Sequence, residues 1–130
     1  MDATPKTVLI VEDNELNQKL LRDVLEAYGY ATIATGQGAA ALGLARENQP
    51  DLILMDLQLP DISGLDAVRG LKRHQQTRTI PVVAVTAFAM VGDERKALAS
   101  GCDAYIAKPL LLRSFIEIIE RFVGTADGPR

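Results

Sequence analysis

Five short apolar runs punctuate the chain, and each is followed by a segment whose apolar residues recur at helical spacing. The predicted strands that contain these runs begin at Thr7, Tyr30, Leu52, Ile80 and Asp103. Short continuous apolar runs are typical of strands buried on both faces, and their alternation with helices favours a parallel sheet joined by right-handed crossovers. The pattern predicts an α/β fold with a doubly wound five-stranded parallel sheet and five helices. The usual strand order at this size is the flavodoxin-like order 2-1-3-4-5.

The first and last helices have the clearest apolar stripes. Asn14 is a suitable cap for the first helix, and Gly29 is expected to end it. The first stripe comprises Leu16, Leu20, Leu21, Val24 and Leu25. The last helix, Leu111 to Val123, carries a stripe predicted to face the core, formed by Leu112, Phe115, Ile116, Ile119, Phe122 and Val123.

Length and composition narrow the class of protein. A chain of 130 residues that is 48% hydrophobic fits one domain, with its core at about residues 7–123 and a frayed tail at 124–130. The net charge of −3 and the absence of Trp argue against binding DNA or RNA. The single Cys102 excludes an internal disulfide and is expected to be a buried residue in a reducing cytosol. No apolar run suits a membrane span or a signal peptide, so we expect a cytoplasmic protein without membrane insertion.

Polar residues stand where four of the predicted strands end. Glu12 and Asp13 follow the first strand, Asp56 the third, Thr86 the fourth and Lys108 the fifth. Because the carboxyl ends of parallel strands share one edge of the sheet, these side chains should converge. Carboxylates about 4 Å apart repel by roughly 4 kcal/mol per pair at an effective dielectric constant near 20, so positive charge is needed. Oxygen ligands without His or thiolate favour Mg²⁺, and Lys108 offers a second positive charge.

This arrangement suits phosphoryl transfer to a carboxylate. Asp56 near Mg²⁺ and Lys108 can attack phosphorus and form an acyl phosphate, while Thr86 offers a hydroxyl to a phosphoryl oxygen. Backbone N–H groups of Leu57 and Ala87 are further candidate donors. No residue is placed by the sequence as a strong general base for hydrolysis, so the acyl phosphate is expected to persist long enough to signal.

Four stretches now resemble one family. They are Val-Glu-Asp-Asn at 11–14, Leu-Met-Asp-Leu-Gln-Leu-Pro at 54–60, Val-Thr-Ala at 85–87 and Ala-Lys-Pro-Leu at 107–110. The chain from Thr7 to Val123 resembles the receiver domain of two-component response regulators, which implies a CheY-like version of the predicted fold. Stretches at 12–17, 45–48, 84–90 and 101–109 further resemble a single-domain cell-cycle regulator of that family.

The resemblance implies roles for individual residues. Asp56 would be the phosphoacceptor, and Thr86 and Lys108 would bind the phosphoryl group. The Mg²⁺ ligands would be Asp13, Asp56 and the backbone carbonyl of Gln58, with Glu12 holding a coordinated water. Glu12 stands where many receivers have Asp, and its longer side chain should still reach that water. The chain would be no enzyme beyond its own phosphotransfer and slow autodephosphorylation.

The resemblance also implies a switch and partners. Phosphorylation would draw in Thr86 and let Tyr105 rotate, which would reshape the face formed by the fourth helix, fifth strand and fifth helix. The expected partner-binding residues are Phe88, Met90, Val91, Tyr105 and Leu111, with Ile118 nearby; packing of Phe88 and Ile118 within the domain stays an alternative.

The donor would be a sensor histidine kinase or a histidine phosphotransfer protein, because His74, the only histidine, is expected to be solvated. The effectors would be proteins that include kinases in cell-cycle signalling. The chain would act as a monomer or weak dimer, and partners would recruit it to the cell pole.

Two other classes are weaker fits. A Mg²⁺-dependent phosphohydrolase of the dehalogenase type also forms an aspartyl phosphate, but it needs a second Asp two residues on, where this chain has Gln58. A flavodoxin-like cofactor module needs a phosphate-binding loop after its first strand, where Glu12 and Asp13 would repel a phosphate.

Overall fold

A computed structural model describes residues 5–86, 92–107 and 112–124. Strands and helices alternate along the described chain, with one 3₁₀ turn before the second helix. The elements are β1 (Thr7–Val11), α1 (Glu15–Ala27), β2 (Ala31–Thr35), the 3₁₀ turn (Gly38–Ala40), α2 (Ala41–Asn48), β3 (Leu52–Asp56), α3 (Gly64–Arg73), β4 (Val82–Thr86), α4 (Asp93–Ser100), β5 (Ala104–Ala107) and α5 (Leu112–Val123).

The five strands form one parallel sheet in the order β2-β1-β3-β4-β5, which confirms the predicted order. β1 and β3 are therefore neighbours, although a strand and two helices separate them in the chain. In register, Val11 pairs with Met55, and Asp56 pairs with Val85. The residues that follow β1 thus stand beside the end of β3.

Two apolar layers cover the two faces of the sheet. Successive strand residues point to opposite faces, so Leu9 and Ile53 join one layer while Val8 and Leu54 join the other. Residues of α2, α3 and α4 complete the first layer, and residues of α1 and α5 complete the second. Every residue of β3 and β4 is buried, which explains why their sequences are continuous apolar runs up to the final residue.

The apolar stripe of α1 is only half buried. Leu21 and Leu25 are buried against the sheet, but Leu16 is 76% exposed and Leu20 is 58% exposed. A helix on a sheet buries a stripe about 100° wide, and Leu16 and Leu20 lie one residue's rotation outside the stripe that contains Leu21 and Leu25. In α5 the prediction is confirmed for the described side chains, because Phe115, Ile116 and Ile119 are buried and Phe122 and Val123 pack against them.

One hydrogen-bond pattern occurs twice at the amino end of the sheet. The N–H of Asp51 donates to the carbonyl of Thr7 at 2.8 Å, and the Thr7 N–H donates back to Asp51 Oδ2 at 2.8 Å. Asp103 makes the same exchange with Val82, at 2.7 and 2.8 Å. Each aspartate precedes one strand and fixes the first residue of its neighbour. The pattern therefore helps to align β3 with β1 and β5 with β4.

Several predictions fall on residues outside the described ranges. These are the roles of Lys108, Phe88, Met90, Val91 and Leu111, the N–H of Ala87, and the tail from residue 125. Within the described ranges, no helix is long and apolar enough to cross a membrane.

Candidate functional site

Three carboxylates meet at the carboxyl edge of the sheet. Glu12, Asp13 and Asp56 each offer an oxygen that lies within 4.8 Å of the oxygens offered by the other two. Glu12 and Asp13 follow β1 and Asp56 ends β3, so the pairing of β1 with β3 brings them together. Glu12 is 2% exposed and Asp56 is 7% exposed, whereas Asp13 faces solvent. The cluster is thus a partly sheltered acidic site with an open side.

The backbone around Asp56 is closely packed. The N–H of Gln58 donates to Asp56 Oδ1 at 2.9 Å, which orients the carboxylate over the end of its own strand. Gly64, the first residue of α3, lies directly behind it. A Cβ at Gly64 would come within 2.5 Å of both the carbonyl oxygen of Asp56 and the Cα of Leu57. Only glycine lets α3 start so close to the end of β3.

Glu12 is fixed from three sides. Its N–H donates to the carbonyl of Thr35 at 2.9 Å, and its own carbonyl accepts a 3.0 Å bond from Nε2 of Gln18. Its Oε2 accepts a 3.2 Å bond from the N–H of Asn14. Asn14 also caps α1, as predicted, by accepting from the N–H of Asn17. The start of α1 and the end of β2 thereby hold the acidic end of β1.

Thr86 stands beside the carboxylates at the end of β4. It is 2% exposed and follows Val85, the residue that pairs with Asp56. Thr86 itself pairs with Ala107, the last residue of β5, and Lys108 is the next residue in the chain. Tyr105 pairs with Ala84 and is half buried against the apolar layer of α2, α3 and α4. The residues predicted to act as switch therefore lie on adjacent strands.

Other sequence predictions have plain outcomes. Cys102 is buried, and burial raises the pKa of its thiol to about 11, so the thiol is unreactive at neutral pH. His74 is exposed after the end of α3. Ile118 is half buried and packs against the layer of α1 and α5, which favours the alternative of packing within the domain.

One contact was not foreseen from the sequence. In the sequence, Asp61 reads as an ordinary turn residue. In the structure, its carboxylate accepts hydrogen bonds from the N–H groups of Gly38 and Ala39. These backbone donors hold the pKa of Asp61 below its ordinary value. No local pattern signals the contact, because its partners lie more than twenty residues away in the chain.

The chemistry of the cluster is that of a cation site. Unit charges 4.8 Å apart repel by about 3 to 4 kcal/mol at an effective dielectric constant near 20. Carboxylate oxygens without thiolate or imidazole suit a hard divalent cation, and an open side leaves room for water and a phosphate oxygen. The donor set therefore fits Mg²⁺.

Comparison with known families and curated proteins agrees with this chemistry. Residues 8–120 match the family described as response regulator receiver domain. Proteins named polar-differentiation response regulator DivK, from Brucella anthropi and Brucella melitensis, are each 58% identical to the chain. The alignments cover 94% of this chain and 99% of the first protein, and 93% and 98% for the second.

Solved structures give the same fold. The receiver domain of sensor histidine kinase PA1611 from Pseudomonas aeruginosa, solved with a magnesium ion in its active site cleft, is 33% identical with a TM-score of 0.86, covering 93% of this chain and 99% of that chain. A putative response regulator from Chloroflexus aurantiacus is 28% identical with a TM-score of 0.87, covering 91% and 97%. The chain belongs to the response regulator receiver domain family and is a homologue of proteins named polar-differentiation response regulator DivK.

Proposed function

We propose that this chain is phosphorylated on Asp56 in a Mg²⁺-dependent reaction and signals by binding other proteins. The observation that carries the proposal is the cluster of Glu12, Asp13 and Asp56 within 4.8 Å in a member of the receiver family. Asp56 is the member of the cluster that ends a fully buried strand, so its backbone is firmly held at the edge of the sheet. The family assignment favours this function over a dehalogenase-type phosphohydrolase.

Asp56 acts as the nucleophile in this proposal. The N–H of Gln58 donates to Oδ1 at 2.9 Å and orients the carboxylate, one oxygen of which attacks phosphorus. A bond forms between that oxygen and phosphorus while phosphorus separates from the donor, which keeps its bonding electrons. The donor atom is an imidazole nitrogen of a phosphohistidine or an oxygen of a small acyl phosphate. Thr86 donates its hydroxyl to a phosphoryl oxygen, and Lys108 supplies positive charge.

Mg²⁺ would be held by Asp13, Asp56 and the carbonyl of Gln58, with Glu12 acting through a water, and when bound it would neutralise charge on the phosphoryl oxygens. This assignment is supported by the donor chemistry of the cluster and by the magnesium ion in the related Pseudomonas receiver domain.

The decisive experiment is intact-mass measurement after incubation with acetyl phosphate and Mg²⁺. We expect wild type to gain about 80 Da, the mass of one phosphoryl group, and Asp56→Asn to gain nothing. Asp51→Asn is the matched control, because it makes the same substitution at the other end of the same strand, and it should gain mass like wild type.

An equal gain in mass by Asp56→Asn would show that another residue is the phosphoacceptor. No gain by wild type, with acetyl phosphate or with a phosphohistidine donor, would overturn the proposal. Steady release of inorganic phosphate without any accumulated adduct would favour the phosphohydrolase.

The biological role proposed here follows from the relatives. We propose a sensor histidine kinase or histidine phosphotransfer protein as donor, and protein effectors that include kinases of cell-cycle control, recruited at a cell pole. The relatives are named for polar differentiation, which supports that context. Signalling passes from Thr86 to Tyr105 and the face of α4, β5 and α5, together with Phe88, Met90, Val91 and Leu111. Beyond its own phosphorylation and slow dephosphorylation, the chain performs no catalysis.

A further inference from the structure

The loop between β3 and α3, residues 57–63, is attached to a distant part of the chain through Asp61. Its Oδ1 accepts a 3.0 Å bond from the N–H of Gly38, and its Oδ2 accepts a 2.8 Å bond from the N–H of Ala39. Both oxygens of one carboxylate thus bind the 3₁₀ turn that follows β2. The side chain of Asp61 is exposed, so the two bonds connect surface segments rather than core elements.

Apolar contacts reinforce the same junction. A Cβ at Gly38 would lie 2.8 Å from Cγ1 of Ile62 and 2.9 Å from Cδ1 of Leu59. Gly38 is buried, so the two loop side chains already cover it, and any larger residue would have to displace them. The polar bonds of Asp61 and the apolar contacts of its neighbours therefore fix the loop in one position.

The segment that receives the loop also contacts the other half of the acidic cluster. The carbonyl of Thr35 accepts from the N–H of Glu12 at 2.9 Å, and a Cβ at Gly36 would lie 3.4 Å from the Cα of Asp13. Residues 35–39 hence hold the backbone of Glu12 and Asp13 on one side and the loop of Asp61 on the other. They form a common support for both chain segments that supply the cluster.

We propose that Asp61 is a positioning residue that docks the loop after Asp56 onto the 3₁₀ turn and so holds the Gln58 carbonyl in place for metal binding. The inference rests on the proposed function, because it assigns Gln58 as a ligand. Gln58 lies between two fixed points, Asp56 in its strand and Asp61 on the turn, and its own N–H is bonded to Asp56. Releasing Asp61 frees one of those points and lets the carbonyl turn away.

The test compares Asp61→Ala, which removes both bonds, with Asp61→Glu, which keeps the charge but lengthens the side chain. Asp66→Asn is the matched control, since it removes an exposed negative charge that pairs with Arg69 on α3 without touching the loop. Two quantities are measured: the dissociation constant for Mg²⁺ by NMR titration, and hydrogen exchange of the Gly38 and Ala39 amides.

Asp61→Ala should lose protection at both amides and bind Mg²⁺ about tenfold more weakly, the usual lower bound for removing an indirect support of a metal site. Phosphorylation by acetyl phosphate should recover at saturating Mg²⁺, because Asp56, Thr86 and Lys108 are untouched. Asp61→Glu should also weaken Mg²⁺ binding, and Asp66→Asn should match wild type.

Wild-type Mg²⁺ affinity in Asp61→Ala, with the two amides deprotected, would overturn the inference and leave the proposed function standing. Full affinity in Asp61→Glu with deprotected amides would do the same, since charge alone would then account for the effect. Failure of wild type to bind Mg²⁺ at all would instead overturn the proposed function and the inference with it.

Discussion

Aspartates lie at both ends of this sheet, but their arrangement differs between the two ends. At the amino edge, Asp51 and Asp103 are spread apart, and each accepts from a backbone N–H of the neighbouring strand. Asp103 also accepts from Nζ of Lys72 at 3.0 Å. At the carboxyl edge, Asp13 and Asp56 are brought together with Glu12 instead. One end uses carboxylates to align strands, and the other concentrates negative charge.

The difference shows how to separate a structural carboxylate from a functional one. A carboxylate that accepts hydrogen bonds from backbone N–H groups or from a lysine ammonium stabilises the fold. Its loss leaves those donors without partners. A carboxylate held near two others raises the energy of the folded chain until a cation binds. The two ends should therefore respond in opposite directions to neutralising substitutions.

The largest effect is expected at Asp103. Asp103→Ala leaves the buried N–H of Val82 and the ammonium of Lys72 without this acceptor, and we expect a loss of about 2 kcal/mol in the free energy of unfolding. Most of the loss comes from the Val82 N–H, because the ion pair is partly exposed. Thermal unfolding should show a melting temperature lower by about 8 °C.

Asp103→Asn is its control, because the amide oxygen can still accept from Val82. It should cost less than half as much as Asp103→Ala. Equal losses in the two variants would assign the stabilisation to the ion pair with Lys72 rather than to strand alignment.

The next effect concerns the metal. Mg²⁺ at ten times its dissociation constant should stabilise wild type by about 1.4 kcal/mol, because it binds the folded chain alone. Asp13→Asn should lose this increment, and without Mg²⁺ it should be at least as stable as wild type, since a like charge is gone. Melting curves with Mg²⁺ and with EDTA measure both quantities.

The comparison between the two ends is sharpest if Asp103→Ala keeps the full Mg²⁺ increment despite its lower melting temperature. A destabilised Asp13→Asn in EDTA would contradict the view that charge is concentrated at the carboxyl edge.

A smaller effect is expected at Asp51. Its side chain accepts from the half-buried N–H of Thr7, which water can partly satisfy after substitution. Asp51→Ala should therefore cost about 1 kcal/mol in urea unfolding. A loss as large as that of Asp103→Ala would show that burial of the N–H donor does not set the size of the effect.

The smallest effect is a pH dependence confined to Asp61. Backbone donors hold its pKa below the ordinary value, so its bonds to Gly38 and Ala39 persist at neutral pH and are lost only as the pH falls through that lowered pKa. The protection factors of the Gly38 and Ala39 amides in wild type, which correct for the pH dependence of intrinsic exchange, should stay constant from pH 7 to about pH 4 and fall in more acidic solution. Loss of protection already between pH 7 and about pH 4 would show that the pKa of Asp61 is not lowered.

Much of the fold could be predicted from the sequence, because strands buried on both faces have continuous apolar runs. β3 and β4 are buried throughout, and their runs were found with small shifts of the boundaries. The exposure of Leu16 and Leu20 could not be foreseen, because helical spacing fixes which residues share a stripe and not how much of it the sheet covers. The boundary between the 3₁₀ turn and α2 likewise has no sequence signal, since Gly38 and Ala39 carry no side chain that marks it.

The acidic cluster could be predicted from the residues at the strand ends, whereas the contacts that support it could not. Glu12, Asp13 and Asp56 each come directly after an apolar run, and a parallel sheet brings such positions to one edge. Asp61 offers no such signal, because its partners are backbone groups of a turn distant in sequence. The roles assigned to these residues, and to Thr86, Lys108 and Tyr105, stay predictions.

The close approach of α3 to the end of β3 has a consequence for genetics. Gly64 admits no Cβ without moving the backbone of Asp56 and Leu57. A missense allele that places alanine or serine there would leave every acidic residue of the chain unchanged and still displace Asp56, the proposed phosphoacceptor. In a screen for loss of signalling, such alleles should be recovered alongside alleles of Asp56 itself. Suppressors should map to residues of the 57–63 loop that can move to relieve the steric overlap.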